Sequence, residues 1–385
     1  MKIEKLEDLK SKTLGFFMTR GMSFKRWYEI GMFDREISLY NRLADYYERI
    51  YIFSYGNRSE FEFQKYLKKN IEICPLNSNL PVLFQELFLP FKLNRPLKQC
   101  DIYKTNQMDG ATAGIIARIL YKKPLIIRMG WVRSLNISKN ESMNIVKRLI
   151  LNLNERWACK YSDAVMVSSE QADNYIVKKY QLNNKLRLVN KNFVDVKLFK
   201  ALNISKDRDI IFIGRLSEEK NLFGLLNALK DSNYNLDIIG SGPLKQALEE
   251  KAKKDKLNVR FLGNIPNSRL PEIINRHKIF ILPSYYEGAP KSLLEAMSCG
   301  LAVIGTNVIG IREVITNDID GILCGTDSDS IRFAIDRLMR NSELRYKLGE
   351  KAREKIVREF SFEKVLDREI EFSKKVIEKF YSKMC

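Results

Sequence analysis

Two carboxylates, a lysine and a helix start occur at spacings that could bind a phosphorylated ligand. They lie in one stretch, Ile281-Leu-Pro-Ser-Tyr-Tyr-Glu-Gly-Ala-Pro-Lys-Ser-Leu-Leu-Glu-Ala-Met-Ser-Cys-Gly300. Glu287 falls in a loop, and Glu295 falls between one and two turns into the helix that follows. Pro290 suits the first helical position, where its missing N–H is no loss, and Gly300 suits the left-handed residue just past the end. The uncommitted N–H groups from Gly288 to Lys291, beside the Lys291 side chain, make an anion site. A carboxylate above the helix start, donors at it and a second carboxylate further in could hold a sugar, a diphosphate and a ribose in one line. The plainer alternatives are a turn residue for Glu287 and a solvated helix residue for Glu295. Against the latter, Leu293, Leu294 and Met297 on the same helix place Glu295 near a buried face.

Strands and helices must alternate to position such a stretch, and they do. In the second half, strands at Ile210–Ile213, Leu236–Gly240, Val259–Gly263 and Lys278–Pro283 are separated by helical segments. That pattern predicts an α/β doubly wound parallel sheet, in which ligands bind beyond the carboxyl ends of the strands. Three loops meet this condition: Gly214–Asn221, Ser241–Pro243 and Ser284–Pro290. They bring in Arg215 and Lys220, which taken alone could equally be surface charges.

The first half repeats the alternation. It has strands at Thr13–Met18, Ile50–Ser54, Asp101–Asn106, Pro124–Arg128, Ala164–Ser168 and Leu186–Val189. Helices are expected at Asp34–Tyr47, Ala111–Tyr121 and Glu141–Lys160, and Thr19–Trp27 is expected as a loop. Ser168 or Ser169 is placed to cap the next helix. The expected organisation is a Rossmann-like domain over 1–200, a second over 201–365, and a C-terminal helix over 366–385 packing back towards the first. Three closing helices are expected over Asp329–Met339, Ser342–Phe360 and Phe362–Tyr381.

The 385 residues include 66 Lys and Arg against 47 Asp and Glu, a net charge of +19. Residues 1–200 hold 35 of these cations against 20 carboxylates, so the surplus is concentrated there. Such a surplus fits an anionic membrane surface, a phosphorylated or lipid-linked acceptor, or nucleic acid, and it equally fits solvated surface charge. No recognition helix or aromatic ribonucleoprotein motif supports nucleic acid as a partner. The opening residues Met1–Asp8 do not read as a signal peptide, and apolar runs such as Val82–Phe91 and Ile115–Leu120 are too short to cross a bilayer. The expected location is cytoplasmic, at most at the inner face of the membrane. The six cysteines are scattered without a C-x-x-C pair, which reads as reduced thiols, and no zinc or other metal site is expected. His277 reads as structural or surface, and Trp27 and Trp131 as core before sugar-stacking residues.

Taken together, the motifs resemble the retaining GT-B glycosyltransferases of family 4. The resemblance rests on Phe212-Ile-Gly-Arg-Leu-Ser-Glu-Glu-Lys-Asn221, Ile239-Gly-Ser-Gly-Pro243, Phe261-Leu-Gly263, the paired glutamates Glu287 and Glu295, Gly310-Ile-Arg-Glu313 and Asp320-Gly-Ile-Leu323. Asn192-Phe-Val-Asp195 with Phe199 resembles the family's interdomain segment. It implies two facing Rossmann-like domains and a hexose moved from a nucleotide-diphosphate sugar, UDP- or GDP-linked, to a glycan, lipid-linked or polysaccharide-precursor acceptor. No cofactor and no metal would be required.

The resemblance also implies roles. Arg215 and Lys220, in the loop from Gly214, would hold the donor diphosphate. Glu295 would accept the ribose hydroxyls and Glu287 would touch the donor sugar. Backbone around Gly263, Asn264 and Ile265 would meet the base, and that of Gly288, Ala289, Pro290, Lys291, Ser292, Leu293 and Leu294 the sugar and phosphate. Where the family often has a first-domain histidine, this chain has Lys104-Thr-Asn-Gln-Met-Asp-Gly110. The acceptor-side candidates are therefore Gly21, Asn106, Gln107, Asp109 and Arg128. An epimerase or another enzyme of the same architecture is the alternative activity, and a basic nucleic-acid-binding protein the alternative from another class.

Overall fold

The computed structural model describes residues 9–130, 132–136, 145–288 and 290–383. It divides into two compact units, Met1–Asn190 with Leu366–Cys385, and Lys191–Val365. Each is built on a wholly parallel sheet whose inner strands are short apolar runs buried on both faces, the pattern that a sheet covered by helices on either side requires.

In the first unit the strands are β1 (Thr13–Phe17), β2 (Arg49–Ser54), β3 (Ile71–Pro75), β4 (Ile102–Thr105), β5 (Leu125–Met129), β6 (Ala164–Val167) and β7 (Leu186–Val189). Their order across the sheet is β3-β2-β1-β4-β5-β6-β7. Successive connections run one way from β1 to β3 and the other way from β4 onward, so β1 and β4 flank a topological switch point. The core is rich in aromatics, and Trp27 lies fully buried with its ring parallel to Tyr40 at 6.2 Å. The long closing helix, Phe362–Tyr381, belongs to this unit from Leu366. Its Ile370, Phe372, Val376 and Ile377 are buried, and its buried Glu369 pairs with Lys104 on β4 and accepts from Asn190 Nδ2 at 3.4 Å.

The second unit contains β8 (Arg208–Ile213), β9 (Leu236–Ile239), β10 (Val259–Gly263), β11 (His277–Leu282), β12 (Ala302–Thr306) and β13 (Ile322–Cys324). Their order is β10-β9-β8-β11-β12-β13, with the switch point between β8 and β11. One continuous core, from Val194 to Phe360, holds the helices to both faces. Inside it His277 shares a hydrogen bond with Asp237 at 3.0 Å and sits 2.8 Å from the Ile273 carbonyl, which makes it structural. Asp237 also takes Arg208 at 2.6 Å and Arg260 at 2.5 Å. Burial alone would raise its pKa, but Arg260, His277 and Arg208 hold it well below the usual carboxylate range.

Several boundaries differ from the expected ones. Thr19–Trp27 is a loop only as far as Ser23, whose hydroxyl accepts from Arg26 N–H and starts the helix Phe24–Glu29. The helix expected over Asp34–Tyr47 spans Phe33–Leu43. The expected Glu141–Lys160 helix is described as Ile145–Tyr161; residues 137–144 lie outside the described part, as does Trp131. The Ser169 cap is present, its hydroxyl accepting from Ala172 N–H. β3 and the helices Val82–Lys92 and Asn94–Gln99 occupy a stretch whose pattern gave no reading, because Val82–Lys92 is apolar on the face it does not bury. Burial pushes the thiols of Cys74, Cys159, Cys299 and Cys324 up to about 12, which keeps them protonated and unreactive near neutrality.

Candidate active site

The switch point of the second unit gathers three separate loops. Gly214 N–H donates to the Ile239 carbonyl at 3.0 Å and Leu216 N–H to the Ser241 carbonyl at 2.9 Å, tying the β8 loop to the β9 turn. Gly240 N–H donates to the Gly263 carbonyl at 2.8 Å, which ties that turn to the end of β10. On the other side, Tyr285 N–H donates to the Glu219 carbonyl at 2.8 Å, and Asn221 Nδ2 reaches the Pro283 carbonyl at 3.1 Å. The loops after β8 and β11 are thus stitched together by backbone.

The side chains follow from this. Lys220 Nζ lies 2.5 Å from Glu287 Oε1, and Ser284 Oγ donates to the same oxygen at 2.7 Å. The Glu287 side chain is 8% exposed, so its charge is largely enclosed, with the Lys220 ammonium beside it. Arg215 is exposed and has no ion-pair partner among the described residues. Glu295 is buried, and Asn267 Nδ2 donates to its Oε1 at 3.0 Å. Neither Ser284 nor Asn267 was singled out from sequence. Asn267 carries no signal, because its contact with Glu295 spans 28 positions and exists only once the sheet has set β10 and β11 with two strands between them.

The helix after β11 spans Lys291–Ser298, so Pro290 is the residue before its first turn and not the first helical residue. Gly300 ends it at φ +73, the left-handed conformation its position called for. Among the described residues no side chain accepts from Ser292 or Leu293 N–H, so these donors of the first turn remain available. Leu293 and Leu294 have their side chains in the core and present only backbone; Lys291 and Ser292 are half-buried. Gly288 is half-buried, Ala289 lies outside the described residues, and Asn264 is exposed while Ile265 packs against the core. Gly310 explains why this loop keeps its shape. A Cβ there would overlap the Glu287 carbonyl and stand 2.5 Å from that of Gly288, so only glycine lets the two segments touch.

In the first unit, Asn106, Gln107 and Asp109 follow β4, which flanks the switch point, and Arg128 lies near the carboxyl end of the next strand, β5. Asn106 N–H donates to the Phe17 carbonyl at 2.8 Å, Arg128 Nη1 approaches the Asn106 carbonyl at 3.4 Å, and Gln107 Oε1 accepts from Gly130 N–H at 3.0 Å. Asp109 joins the β1 loop through its carbonyl, which accepts from Arg20 N–H at 2.9 Å. Gly21 stands apart from these four, on the side of the loop that faces Val82. Two buried glutamates complete the region. Glu86 takes Arg20 Nε at 2.5 Å and Thr112 N–H at 3.2 Å, and Glu60 takes Phe24 and Lys25 N–H at 3.1 and 3.2 Å.

A cation beside a carboxylate and an uncapped helix start can together bind a phosphorylated, hydroxyl-rich molecule. Residues 195–355 match the model of the glycosyl transferases group 1 family. The chain is a glycosyltransferase that carries a group 1 domain. It is 28% identical over 276 residues to the GalNAc-alpha-(1->4)-GalNAc-alpha-(1->3)-diNAcBac-PP-undecaprenol alpha-1,4-N-acetyl-D-galactosaminyltransferase of Campylobacter jejuni, covering 69% of this chain and 73% of that one. It is 26% identical over 289 residues to the UDP-Gal:alpha-D-GlcNAc-diphosphoundecaprenol alpha-1,3-galactosyltransferase of Escherichia coli, covering 70% and 73%. Among solved structures, sucrose-phosphate synthase from Thermosynechococcus elongatus shares the fold with a TM-score of 0.79 at 18% identity, over 96% of this chain and all of that one. HepE from Anabaena, in complex with UDP and glucose, does so with a TM-score of 0.74 at 16% identity, over 94% and 98%. The glycosyltransferase therefore has the GT-B type of fold, two parallel-sheet α/β domains. No helix among its described residues is long and apolar enough to cross a membrane.

Proposed function

We propose that this glycosyltransferase moves a hexose from a nucleotide-diphosphate sugar to a lipid-linked or other glycan acceptor, with retention at the anomeric carbon and without a metal. The observation that carries the reading is the Lys220–Glu287 pair at the β8–β11 switch point, with Arg215 alongside and the start of helix Lys291–Ser298 beyond it. In the free enzyme Glu287 holds Lys220 in place. When the donor binds, Lys220 and Arg215 take its diphosphate, the N–H groups of the helix start add to them, and Glu287 meets the sugar hydroxyls. Glu295, fixed by Asn267, accepts from the ribose hydroxyls, and the backbone around Gly263 meets the base.

The chemistry needs positive charge and N–H donors already in place where negative charge grows. The acceptor hydroxyl forms its bond to the anomeric carbon on the face from which the phosphate leaves. The bond from that carbon to the phosphate oxygen breaks with its electron pair, and the hydroxyl proton passes to the departing oxygen. Arg215 and Lys220 offset the charge that remains on the nucleoside diphosphate. On the acceptor side Asn106, Gln107, Asp109 and Arg128 are the candidates, with Gly21 leaving room in the β1 loop.

A lipid-linked acceptor is favoured because the relatives from Campylobacter jejuni and Escherichia coli are both named for undecaprenol-linked acceptors. It agrees with a cytoplasmic enzyme in peripheral contact with an anionic membrane. The test is a panel of UDP- and GDP-sugars read by thermal shift and by donor hydrolysis, since a bound donor stabilises the fold by mass action. One donor raises Tm in the wild type, and Lys220→Ala and Glu295→Ala each lose the shift and the hydrolysis. Undiminished activity in both variants sinks the assignment.

A further inference from the structure

The helix Val82–Lys92 is inside out. Its inward face carries Gln85 and Glu86, both buried, with Leu89 and Pro90. Those polar groups are satisfied: Gln85 Nε2 donates to the Ser78 and Leu80 carbonyls at 3.0 and 2.7 Å, and Glu86 holds Arg20 and Thr112 N–H. The outward face carries Leu83, Phe84, Leu87, Phe88 and Phe91, exposed by 42 to 60%. Positions 84, 87, 88 and 91 follow helical spacing, so the rings form one stripe. A contiguous apolar stripe of this size on a folded unit marks a surface that meets another apolar phase.

Charge identifies that phase. Glu86, buried and paired, is the only Asp or Glu between residues 73 and 100, whereas Lys92, Arg95 and Lys98 are all exposed at the end of the stripe. Apolar rings bordered by cations, with no exposed carboxylate among them, complement the interfacial zone of an anionic bilayer. The stripe is also continuous with the candidate acceptor loop. Arg20 is bonded to Glu86, and a Cβ on Gly21 would lie 3.4 Å from Val82 Cγ1, at the start of the same helix. The neighbouring helix Ala111–Tyr121 adds Ile119 and Leu120, both exposed.

We propose that helix Val82–Lys92 lies in the interface of an anionic lipid bilayer, with its phenylalanines among the acyl chains and Lys92, Arg95 and Lys98 at the headgroups. This sets the Arg20–Gly21 loop at the membrane surface, where a lipid-linked acceptor presents its sugar. It rests on the lipid-linked acceptor reading above and deepens it by naming the surface.

The test is co-sedimentation of the full chain with phosphatidylcholine vesicles and with 1:1 phosphatidylcholine–phosphatidylglycerol vesicles, without donor or acceptor. The wild type binds the anionic vesicles and binds them less as salt rises. Phe84→Ser, Phe88→Ser and Phe91→Ser together lower partitioning about a hundredfold, since roughly half of each ring returns to water. Replacing Lys92, Arg95 and Lys98 by Gln lowers it about fivefold per charge at low salt and removes the preference for phosphatidylglycerol. Both variants keep the wild-type Tm and the nucleotide-sugar thermal shift, because none of these side chains is in the core or the candidate donor site. Binding of either variant equal to wild type overturns the proposal, as does a wild type that ignores both vesicles. A concentration-dependent dimer that the serine variant abolishes, in place of vesicle binding, also overturns it and assigns the stripe to a second copy. Loss of the nucleotide-sugar shift in the wild type would strike the donor reading and leave the vesicle result standing.

Discussion

The two units share a strand order around their switch points, yet they treat the helix that follows the switch in opposite ways. In the first unit that helix, Ala111–Tyr121, has its opening N–H group at Thr112 bonded to the protein's own Glu86, and Glu60 does the same for Phe24–Glu29. In the second unit the helix Lys291–Ser298 leaves Ser292 and Leu293 N–H without a side-chain acceptor among the described residues, with Glu287, paired with Lys220, in the loop before it. A helix start is a ready anion site only while no internal carboxylate fills it. One unit uses this property in its own folding, and in the other no side chain among the described residues takes it up. The ion pairs differ in their surroundings. The buried Lys104–Glu369 pair holds a helix in the first unit, whereas Lys220–Glu287 joins the loops after β8 and β11, with Lys220 17% exposed.

The variants that would break this contrast run from large effects to small. Glu369→Ala leaves Lys104, whose pKa burial already lowers, unpaired in the first unit's core. It should cost about 3–5 kcal/mol, and pairing Lys104→Met with Glu369→Leu should recover most of it. All three tryptophans lie in the first unit, so urea unfolding followed by tryptophan fluorescence reads this unit alone. Lys220→Ala should cost less, about 1–3 kcal/mol, since Ser284 still donates to Glu287, and should lower transfer by about 10²–10³, measured as steady-state kcat/KM. The reverse outcome, stability lost with activity kept, would exchange the roles given to the two units.

A smaller effect separates the helix starts. Glu86→Gln preserves shape but removes the charge that Arg20 and Thr112 N–H share, and should cost the first unit about 2 kcal/mol with no change in the nucleotide-sugar thermal shift. The smallest effect is a pH dependence in the second unit. Asp237 is held below the usual carboxylate range, so its contribution is fully present above the unfolded pKa of about 3.9. It is lost as the pH falls through the folded value. Asp237→Asn should therefore destabilise the second unit by about 1–2 kcal/mol at pH 7, and the difference from wild type should shrink towards pH 2. Circular dichroism during urea unfolding at the two pH values checks this.

Much of the donor-side region was legible because its parts are local. Each strand of the second unit is a short apolar run, the residues after it are a loop by necessity, and Gly300 marks a helix end within its own ten residues. The legible parts of the first unit were its strands, for the same reason. Glu86, Glu60 and Asn267 were not legible, because each acts on a backbone or side chain 26 to 36 positions away. Helix Val82–Lys92 was hidden for a different reason. Periodicity shows that a helix has an apolar face, but not that the apolar face is the one turned outward.

By itself the sequence determined the class of fold, the order of strands and loops, which loops carry Arg215, Lys220 and Glu287, and which helix carries Glu295. Period, turn residues and strand length are properties of neighbouring positions, so they survive without coordinates. Only the tertiary structure decided that the β8 and β11 loops meet at a switch point, that Lys220 reaches Glu287, and that one helix start is filled while the other is open. Those outcomes depend on the order in which strands enter the sheet and on which side of it each helix packs, and neither is written in any local stretch of the chain.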